Sequence, residues 1–176
     1  MDAMIRLFVP VTTAMTRIEL DSARVQVAEE NPVTTREDLS ELGQLLSARG
    51  ADAAWAILDD TDGSIASWLA LTVVALDGTS PGAVRRRARH ADPIEMDEEI
   101  RETVLGPALR LRQRVVVPAP MPGGAAGAIV TESLDWSWIL PDEMMLSVNT
   151  NTSQLVYADW VTDQVDRVAQ DIALVR

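Results

Sequence analysis

Cysteine is absent from the chain and histidine occurs only once, so several kinds of site are excluded at the outset. Without cysteine the protein can form no disulfide and no thiolate metal site, and one imidazole cannot build a histidine-rich metal cluster. With 176 residues, we expect one domain that buries roughly two-thirds of the surface of its unfolded chain. Such a core needs neither a disulfide nor a metal, and we expect no cofactor.

Lysine is also absent: all fifteen basic residues are arginine, and the formal net charge is −12. This charge disfavours binding to nucleic acid and to anionic membrane surfaces, because both are polyanions. It is compatible with a basic protein partner, although the acidity could equally serve solubility alone. The composition leaves the oligomeric state open.

Long apolar runs are missing as well. No stretch reaches the ~18 apolar residues that a transmembrane helix needs. The first residues, Met1 to Arg6, lack the basic region and the apolar core of a signal peptide. We therefore expect a cytoplasmic protein that does not enter a membrane.

The stretch from Ala128 to Asn149 has the clearest pattern in the chain. Apolar residues alternate with polar ones, the apolar set being Val130, Leu134, Trp136, Trp138 and Leu140 and the polar set Thr131, Ser133, Asp135 and Ser137. This alternation predicts a half-buried antiparallel strand with its polar side facing water. A turn at Pro141 and Asp142, followed by a second alternating run from Met144, predicts a hairpin.

A helix is predicted after this hairpin, from about Asp159 to Val175. Its apolar residues share one helical face, with spacings of four, three and four: Val161, Val165, Val168 and Ile172. Asp159 is predicted to be the N-cap, because its carboxylate can accept from the first free amides of the helix.

The earlier part of the chain predicts short strands and one further helix. The alternation from Met4 to Val11 predicts a strand, and the segment from Arg17 to Val27 predicts two short strand-like pieces. A helix is predicted from Arg36 to Arg49, with a capping box over residues 35–38 and Gly50 as its C′ residue.

A second hairpin is predicted between residues 53 and 76. Its first strand runs from Ala53 to Asp59, and a turn follows at residues 60–63. The second strand, Ile65 to Leu76, is apolar on both faces. A strand of this composition is central in its sheet or is covered on both sides.

Residues 77–103 are predicted to be a polar insert, rich in arginine at its start and in carboxylates at its end. The next strand, from Leu109 to Val117, has alternating apolar residues. The positions between them predict an outer face that carries three arginines: Arg110, Arg112 and Arg114.

These elements together predict a single α+β domain over residues 1–176. Its antiparallel β-sheet has about six to seven strands, and two main helices pack on it, because strands outnumber helices and neighbouring strands are joined by hairpins.

The order of elements resembles that of the PsbP-like superfamily, an α+β sandwich that includes the Ran-binding Mog proteins and small actinobacterial lipoproteins. The segments that carry this resemblance are 105–111 (LGPALRL), 136–141 (WSWILP), 144–150 (MMLSVNT) and 160–172 in the last helix. The lysine-free, alanine- and valine-rich composition is typical of a high-GC genome, and the chain is expected to be a small actinobacterial member. The resemblance implies a binding or assembly role rather than catalysis, and it transfers no functional residues.

Chemistry-bearing motifs are weak, and we expect no enzyme and no catalytic residue. His90 beside Asp92 could act as a general base, but a solvated loop histidine is the better interpretation. No Gly-x-Ser-x-Gly elbow is present. The carboxylates match no Asp-x-Asp-x-Asp-Gly calcium loop, so no metal site is predicted.

The candidate partner-binding residues all lie in the polar insert: Arg85, Arg86, Arg87, Arg89, Asp97, Glu98 and Glu99. Guanidinium groups bind phosphates and carboxylates through paired hydrogen bonds, so this run could hold an acidic group. The alternative is that the basic and acidic runs neutralise each other. The candidate pocket or patch residues are Trp136, Trp138 and Trp160, and the first two are expected to be buried.

Two functions follow as hypotheses. The first is a non-catalytic protein-binding module, such as an adaptor, an assembly factor or an immunity-type protein, that engages a basic protein partner. The second is a binder of a small apolar ligand, held in a pocket between the sheet and the helices and lined by tryptophan and methionine. An enzyme would require at least two carboxyl groups with perturbed pKa values in one cleft.

Overall fold

The computed structural model describes residues 5–18, 20, 25–28, 39–89, 92–120 and 126–175. The strands are β1 (Ile5–Phe8), β2 (Met15–Ile18), β3 (Val25–Ala28), β4 (Ala53–Leu58), β5 (Ile65–Ala75), β6 (Glu95–Thr103), β7 (Gly106–Pro120), β8 (Ala126–Leu140), β9 (Met144–Thr152) and β10 (Ala173–Leu174). The helices are α1 (Ser40–Ala48), α2 (Pro81–Ala88) and α3 (Ala158–Asp171), with a 3₁₀ turn at Leu155–Tyr157.

Seven strands form the main sheet in the order β2-β4-β5-β9-β8-β7-β6, and every neighbouring pair is antiparallel. The prediction of an α+β protein with an antiparallel sheet of six to seven strands is therefore confirmed. The two predicted hairpins, β4–β5 and β8–β9, are present. At the second turn, Asp142 and Glu143 adopt positive φ angles of 59° and 55°.

A second, smaller sheet joins the two ends of the described chain. Its order is β10-β1-β3, in which β1 pairs parallel with β3 and antiparallel with β10. Leu7 lies opposite Leu174 in this sheet. The predicted N-terminal strand is thus a strand, shorter than its pattern suggested, and it belongs to the small sheet.

One face of the main sheet packs against α3, and we call it the α3 face. The helix contributes Val161, Val165 and Val168 to the main core, as the helical spacing predicted. The sheet contributes large side chains to the same core, among them Trp55, Leu69, Leu71, Trp136, Trp138, Leu146 and Val148. The small sheet adds Leu7 to this core.

The opposite face packs against α1 at one end, and we call it the α1 face. Leu39 and Leu46 are buried there together with Ala54 and Ala70 of β4 and β5. Strand β5 therefore has covered residues on both faces, as its apolar composition predicted. Gly50, just beyond α1, has a φ of +82°, which confirms it as the residue that ends this helix. The predicted capping box at 35–38 lies outside the described residues.

Asp159 is not the N-cap of α3, as the sequence had predicted. The helix begins two residues earlier than an N-cap at Asp159 requires, and Tyr157 occupies the N-cap without a side-chain hydrogen bond. Asp159 lies in the first turn, where its carboxylate binds Arg112 of β7 at 2.5 Å. The 3₁₀ turn before the helix already orients the chain, so capping by a side chain is not required.

The arginines of β7 lie on the face that α3 covers, where Arg110 is buried and Arg112 and Arg114 are partly exposed, so the prediction that they line an outer face is wrong. Arg110 is 4% exposed and lies on the α3 face with Trp136, its cross-strand neighbour. Period-two alternation separates two faces without showing which one a helix will cover. Here the covered face accepts arginine because carboxylates of β6, β8 and α3 surround it.

The segment predicted as a polar insert contains two regular elements. Ser80 caps α2 by accepting from the amide of Ala83 at 3.2 Å, and Pro81 occupies the first helical position. The acidic run forms β6, which pairs with β7 over its whole length and is the edge strand of the main sheet.

Candidate ligand pocket on the α1 face of the sheet

A cavity of about 480 Å³ lies on the α1 face, where the middle of the sheet is bordered by the end of α1 and by α2. Arg49 follows α1 and Val84 lies on α2. The apolar part of the sheet lining is Val74, Leu109, Leu111 and Met145. The polar part is Thr72, Asp135, Ser137, Ser147 and Asn149. We refer to this cavity as the Asp135 pocket.

Strand register places these side chains in two rows across the sheet. In one row, Leu111 of β7 lies opposite Asp135 of β8, which lies opposite Asn149 of β9. In the next row, Leu109, Ser137, Ser147 and Thr72 lie opposite one another in turn. Neighbouring strands are about 4.8 Å apart, so the side chains of a row lie side by side. Each row begins with a leucine on β7 and continues with polar side chains on the next strands.

Asp135 has the most unusual electrostatics in the pocket. Burial raises the pKa of its carboxyl group to about 7. None of the described residues forms a hydrogen bond or an ion pair with the carboxyl group. Near neutral pH the group is therefore divided between its neutral and ionised forms, and its polar atoms remain open to a ligand.

The polar side of β8 is not exposed to water, and the prediction that it faces solvent is wrong. Thr131, Ser133 and Ser137 are 6%, 8% and 8% exposed. The hydroxyl groups of Thr131 and Ser133 have no hydrogen-bond partner among the described residues. The alternating pattern predicted the two faces correctly, but α2 also contacts β8 and so this side lies inside the fold.

A ladder of ion pairs occupies the α3 face beside the buried tryptophans. Arg110 binds Asp97 of β6 at 3.1 Å and Asp166 of α3 at 3.1 Å. Two further arginines of β7 share Glu132, which is 3% exposed: its carboxylate lies 2.7 Å from Arg112 and 2.6 Å from Arg114. These bonds join three strands to the last helix.

The ladder also holds two carboxylates in their charged form. A hydrogen bond from Arg101 lowers the pKa of Glu99, and a hydrogen bond from Arg112 lowers the pKa of Asp159. Both groups are acidic side chains that a basic partner could have used. Their ion pairs within the chain reduce the negative charge that they present to such a partner.

The structure does not bring the predicted partner-binding residues into one patch. Asp97 and Glu99 lie on the α3 face, where both contact Arg110. Glu98 lies on the other face and pairs with Arg89, so the basic and acidic runs meet at this contact. Arg86 is exposed on α2, while the side chains of Arg85 and Arg87, like His90, lie outside the described part of the structure.

The tryptophans predicted as a pocket or patch are mostly interior. The rings of Trp136 and Trp138 are stacked, with centroids 5.8 Å apart, and both residues are buried in the core. Trp136 also contributes to the wall of the Asp135 pocket. Trp160 is half-buried and packs edge-on against Tyr157 at 6.5 Å.

The described ranges contain neither a cluster of metal-binding side chains nor a membrane-spanning helix. No group of three or more histidine, cysteine, aspartate or glutamate side chains there could hold a metal ion. No helix in the same ranges combines the length and the apolar character needed to cross a membrane.

Asp135 and Arg49 were not among the candidates that the sequence suggested. Asp135 alternates with tryptophan and therefore looked like a solvated position of a strand. The one signal that could have identified it is the composition of β5, whose second apolar face implied that the α1 face is covered. With that face covered, a carboxyl group on the same side of β8 becomes a buried one.

No protein-family model matches this chain, and a search of curated proteins finds no similar sequence.

Proposed function

We propose that this protein is a non-catalytic binding module that holds a small, largely apolar ligand in the Asp135 pocket, between the sheet and the helices α1 and α2. The observation that carries the proposal is the combination of a cavity of about 480 Å³ with a carboxyl group that no described residue satisfies. Binding sites for small molecules are typically concave, mainly apolar and equipped with a few polar groups that orient the ligand.

The residues that line the pocket favour a ligand-binding site over a cavity that is only a packing feature. Leucine, valine and methionine side chains form the apolar part of the lining. Each methylene group that a ligand buries against them contributes about 0.8 kcal/mol. The polar groups of the two rows lie on β8, β9 and β5, away from the two leucines of β7, and a ligand's single polar group would lie among them.

A neutral apolar fluorophore, N-phenyl-1-naphthylamine, tests the proposal by titration at pH 7. The variant Ser147→Phe fills the pocket from β9, and we expect it to weaken binding at least about tenfold because the ring occupies the ligand's volume. Ser153→Phe, at an exposed position after β9, is the matched control and should leave the affinity unchanged. Equal affinities for the wild type and Ser147→Phe would refute the pocket as the binding site.

A basic protein partner is a second candidate, and the observation that favours it is the edge strand β6. This strand pairs only with β7 among the described residues, and it exposes Met96 and Ile100 at 52% and 71%. A partner strand could add to such an edge through main-chain hydrogen bonds. The carboxylates of β6 would favour a basic partner to the extent that the arginines of the ion-pair ladder leave their negative charge unneutralised.

The variant Ile100→Arg tests this second candidate in a pull-down at low and moderate salt. A basic partner that is captured stoichiometrically, released by salt and lost in Ile100→Arg would support it. Val156→Arg is the control, because Val156 is 88% exposed in a different part of the molecule. A partner that binds both variants equally would exclude β6 as its site.

We also propose that the protein has a PsbP-like fold, with two main helices packed on the sheet, and that it is located in the cytoplasm. The support for the fold is that α1 and α3 contribute buried leucines and valines to cores on opposite faces of the seven-stranded sheet. Hydrogen exchange should therefore show slow amides in both helices. Fast exchange throughout α1 would argue against the two-helix sandwich.

A further inference from the structure

We propose that the ligand of the Asp135 pocket carries a basic nitrogen, protonated at neutral pH, whose N–H groups bind the Asp135 carboxylate while its apolar part packs on Leu109, Leu111 and Val74. This inference rests on the proposed function, since it assigns the chemistry of the ligand in the same pocket.

The geometry of the lining fits an alkylammonium group. A protonated amine has three donors. Asp135 offers carboxylate oxygens, and Asn149 and Ser147 lie on the neighbouring strand, Asn149 directly opposite Asp135 and Ser147 in the adjacent row. These side chains provide further acceptors around the same point. The leucines at the β7 end of the two rows then provide an apolar surface for a short hydrocarbon on that side.

Among the described side chains around the pocket, none supplies a counter-charge to Asp135. Arg49 reaches the lining from the end of α1, but it is exposed and forms no ion pair with Asp135. On the sheet, Glu98 lies opposite Leu111 and is already paired with Arg89. Of the described side chains of α2, the uncharged Val84 lines the pocket, while those of Arg85 and Arg87 lie outside the described part of the structure.

A cation in the pocket would relieve the main electrostatic penalty on the Asp135 carboxylate. The carboxyl group is desolvated by its surroundings, and this desolvation disfavours its charged form. An ammonium group supplies the opposite charge and the hydrogen bonds together, and hydrogen bonds to charged groups are about twice as strong as neutral ones. A neutral alcohol of the same length offers one donor and no charge.

The test compares hexylamine with hexanol, two probes of equal chain length, by ¹H–¹⁵N NMR titration of the full chain. We expect hexylamine to bind about 10- to 100-fold more tightly than hexanol at pH 8, as expected for one charge-assisted hydrogen-bond pair. Below pH 7 the hexylamine affinity should fall by up to about tenfold per pH unit, because the carboxylate is protonated. The hexanol affinity should not change with pH.

The variant Asp135→Asn should bring hexylamine to the affinity of hexanol and remove the pH dependence. Asp142→Asn, at the exposed turn after β8, is the matched control and should behave as the wild type. If wild-type protein binds the two probes equally, or if Asp135→Asn keeps the preference, the amine inference is overturned while the pocket remains a ligand site. If neither probe shifts the pocket resonances, both proposals fail.

Discussion

The indole Nε1 of Trp136 donates a hydrogen bond to Oδ1 of Asp166 at 2.9 Å, and this bond connects the interior of the sheet to the last helix. The same carboxylate accepts from Nε of Arg110 at 3.1 Å. One aspartate on α3 therefore satisfies a buried indole and a buried guanidinium together. A polar group at this depth is tolerated because each donor around it has an acceptor.

Asp166→Ala should lower the free energy of unfolding by about 3 kcal/mol, because it leaves a buried indole N–H without its acceptor and removes a counter-charge from Arg110. Urea denaturation followed by tryptophan fluorescence measures the change. Asp163→Ala, on the exposed side of the same helix, is the control and should change stability by less than about 0.5 kcal/mol. Similar losses in both variants would show that the contact to Trp136 contributes little.

Glu132→Ala should be at least as damaging, with an expected loss of about 3–5 kcal/mol. Glu132 is buried and accepts from Nε of Arg112 at 2.8 Å and from Nε of Arg114 at 2.6 Å, so its removal leaves two guanidinium groups facing each other without a shared counter-ion. Chemical denaturation is again the measurement. The exposed Glu102 on β6 provides the control variant Glu102→Ala, and an equal effect there would contradict the argument.

Stability should depend on pH through Asp135 in the opposite direction to a paired carboxylate. The pKa of this carboxyl is raised from 3.8 to about 7 in the folded protein. The native state then binds more protons than the unfolded state between these values. The stabilisation that Asp135 contributes is fully present below about pH 4, decreases as the pH rises, and is lost once the pH passes the folded-state pKa of about 7. The slope should approach about 1.4 kcal/mol per pH unit.

The difference between wild type and Asp135→Asn isolates this contribution, because other carboxylates titrate in both proteins. In thermal denaturation, the stability of Asp135→Asn relative to the wild type should increase steadily from pH 4 to pH 7. A constant difference across this range would mean that the carboxyl group titrates at its ordinary value.

Two glycine-to-alanine variants should change stability with opposite signs. Gly106, at the start of β7, has a φ of +105°, which an alanine adopts only under strain, so Gly106→Ala should cost about 1–2 kcal/mol. Gly82 has no such conformation and lies in the first turn of α2, where an added Cβ would lie 3.6 Å from Nη1 of Arg86, an ordinary van der Waals contact. Gly82→Ala should therefore be neutral or stabilise by about 0.5 kcal/mol. Melting temperatures of the two variants give the comparison directly.

Much of the fold was predictable because its main signals are local. The alternation from Val130 to Leu140, the turn at Pro141 and the spacing of Val161, Val165 and Val168 were sufficient for β8, β9 and α3. These patterns reflect side-chain direction within one element, which the sequence contains in full. The seven-stranded antiparallel sheet followed from hairpins between neighbouring strands.

The pocket was not predictable, because it depends on which face of the sheet each helix covers. Arg110, on the α3 face, and Asp135, on the α1 face, both illustrate this difficulty. Each is a charged residue in an alternating strand, and each was assigned to solvent by pattern. Arg110 is buried because Asp166 and Asp97 reach it from other elements, and Asp135 is partly buried beside the cavity that Val84 of α2 helps to line.

The pairing of Leu7 with Leu174 has a consequence for synthesis on the ribosome. Because β10 supplies one neighbour of β1, the small sheet can be completed only after residues 173 and 174 have left the exit tunnel. Until then Leu7, which is fully buried in the finished core, has to remain outside its final packing. For most of its translation time the nascent chain should therefore present the edge of β1 that later pairs with β10, and such an open strand edge makes it a substrate for holding chaperones.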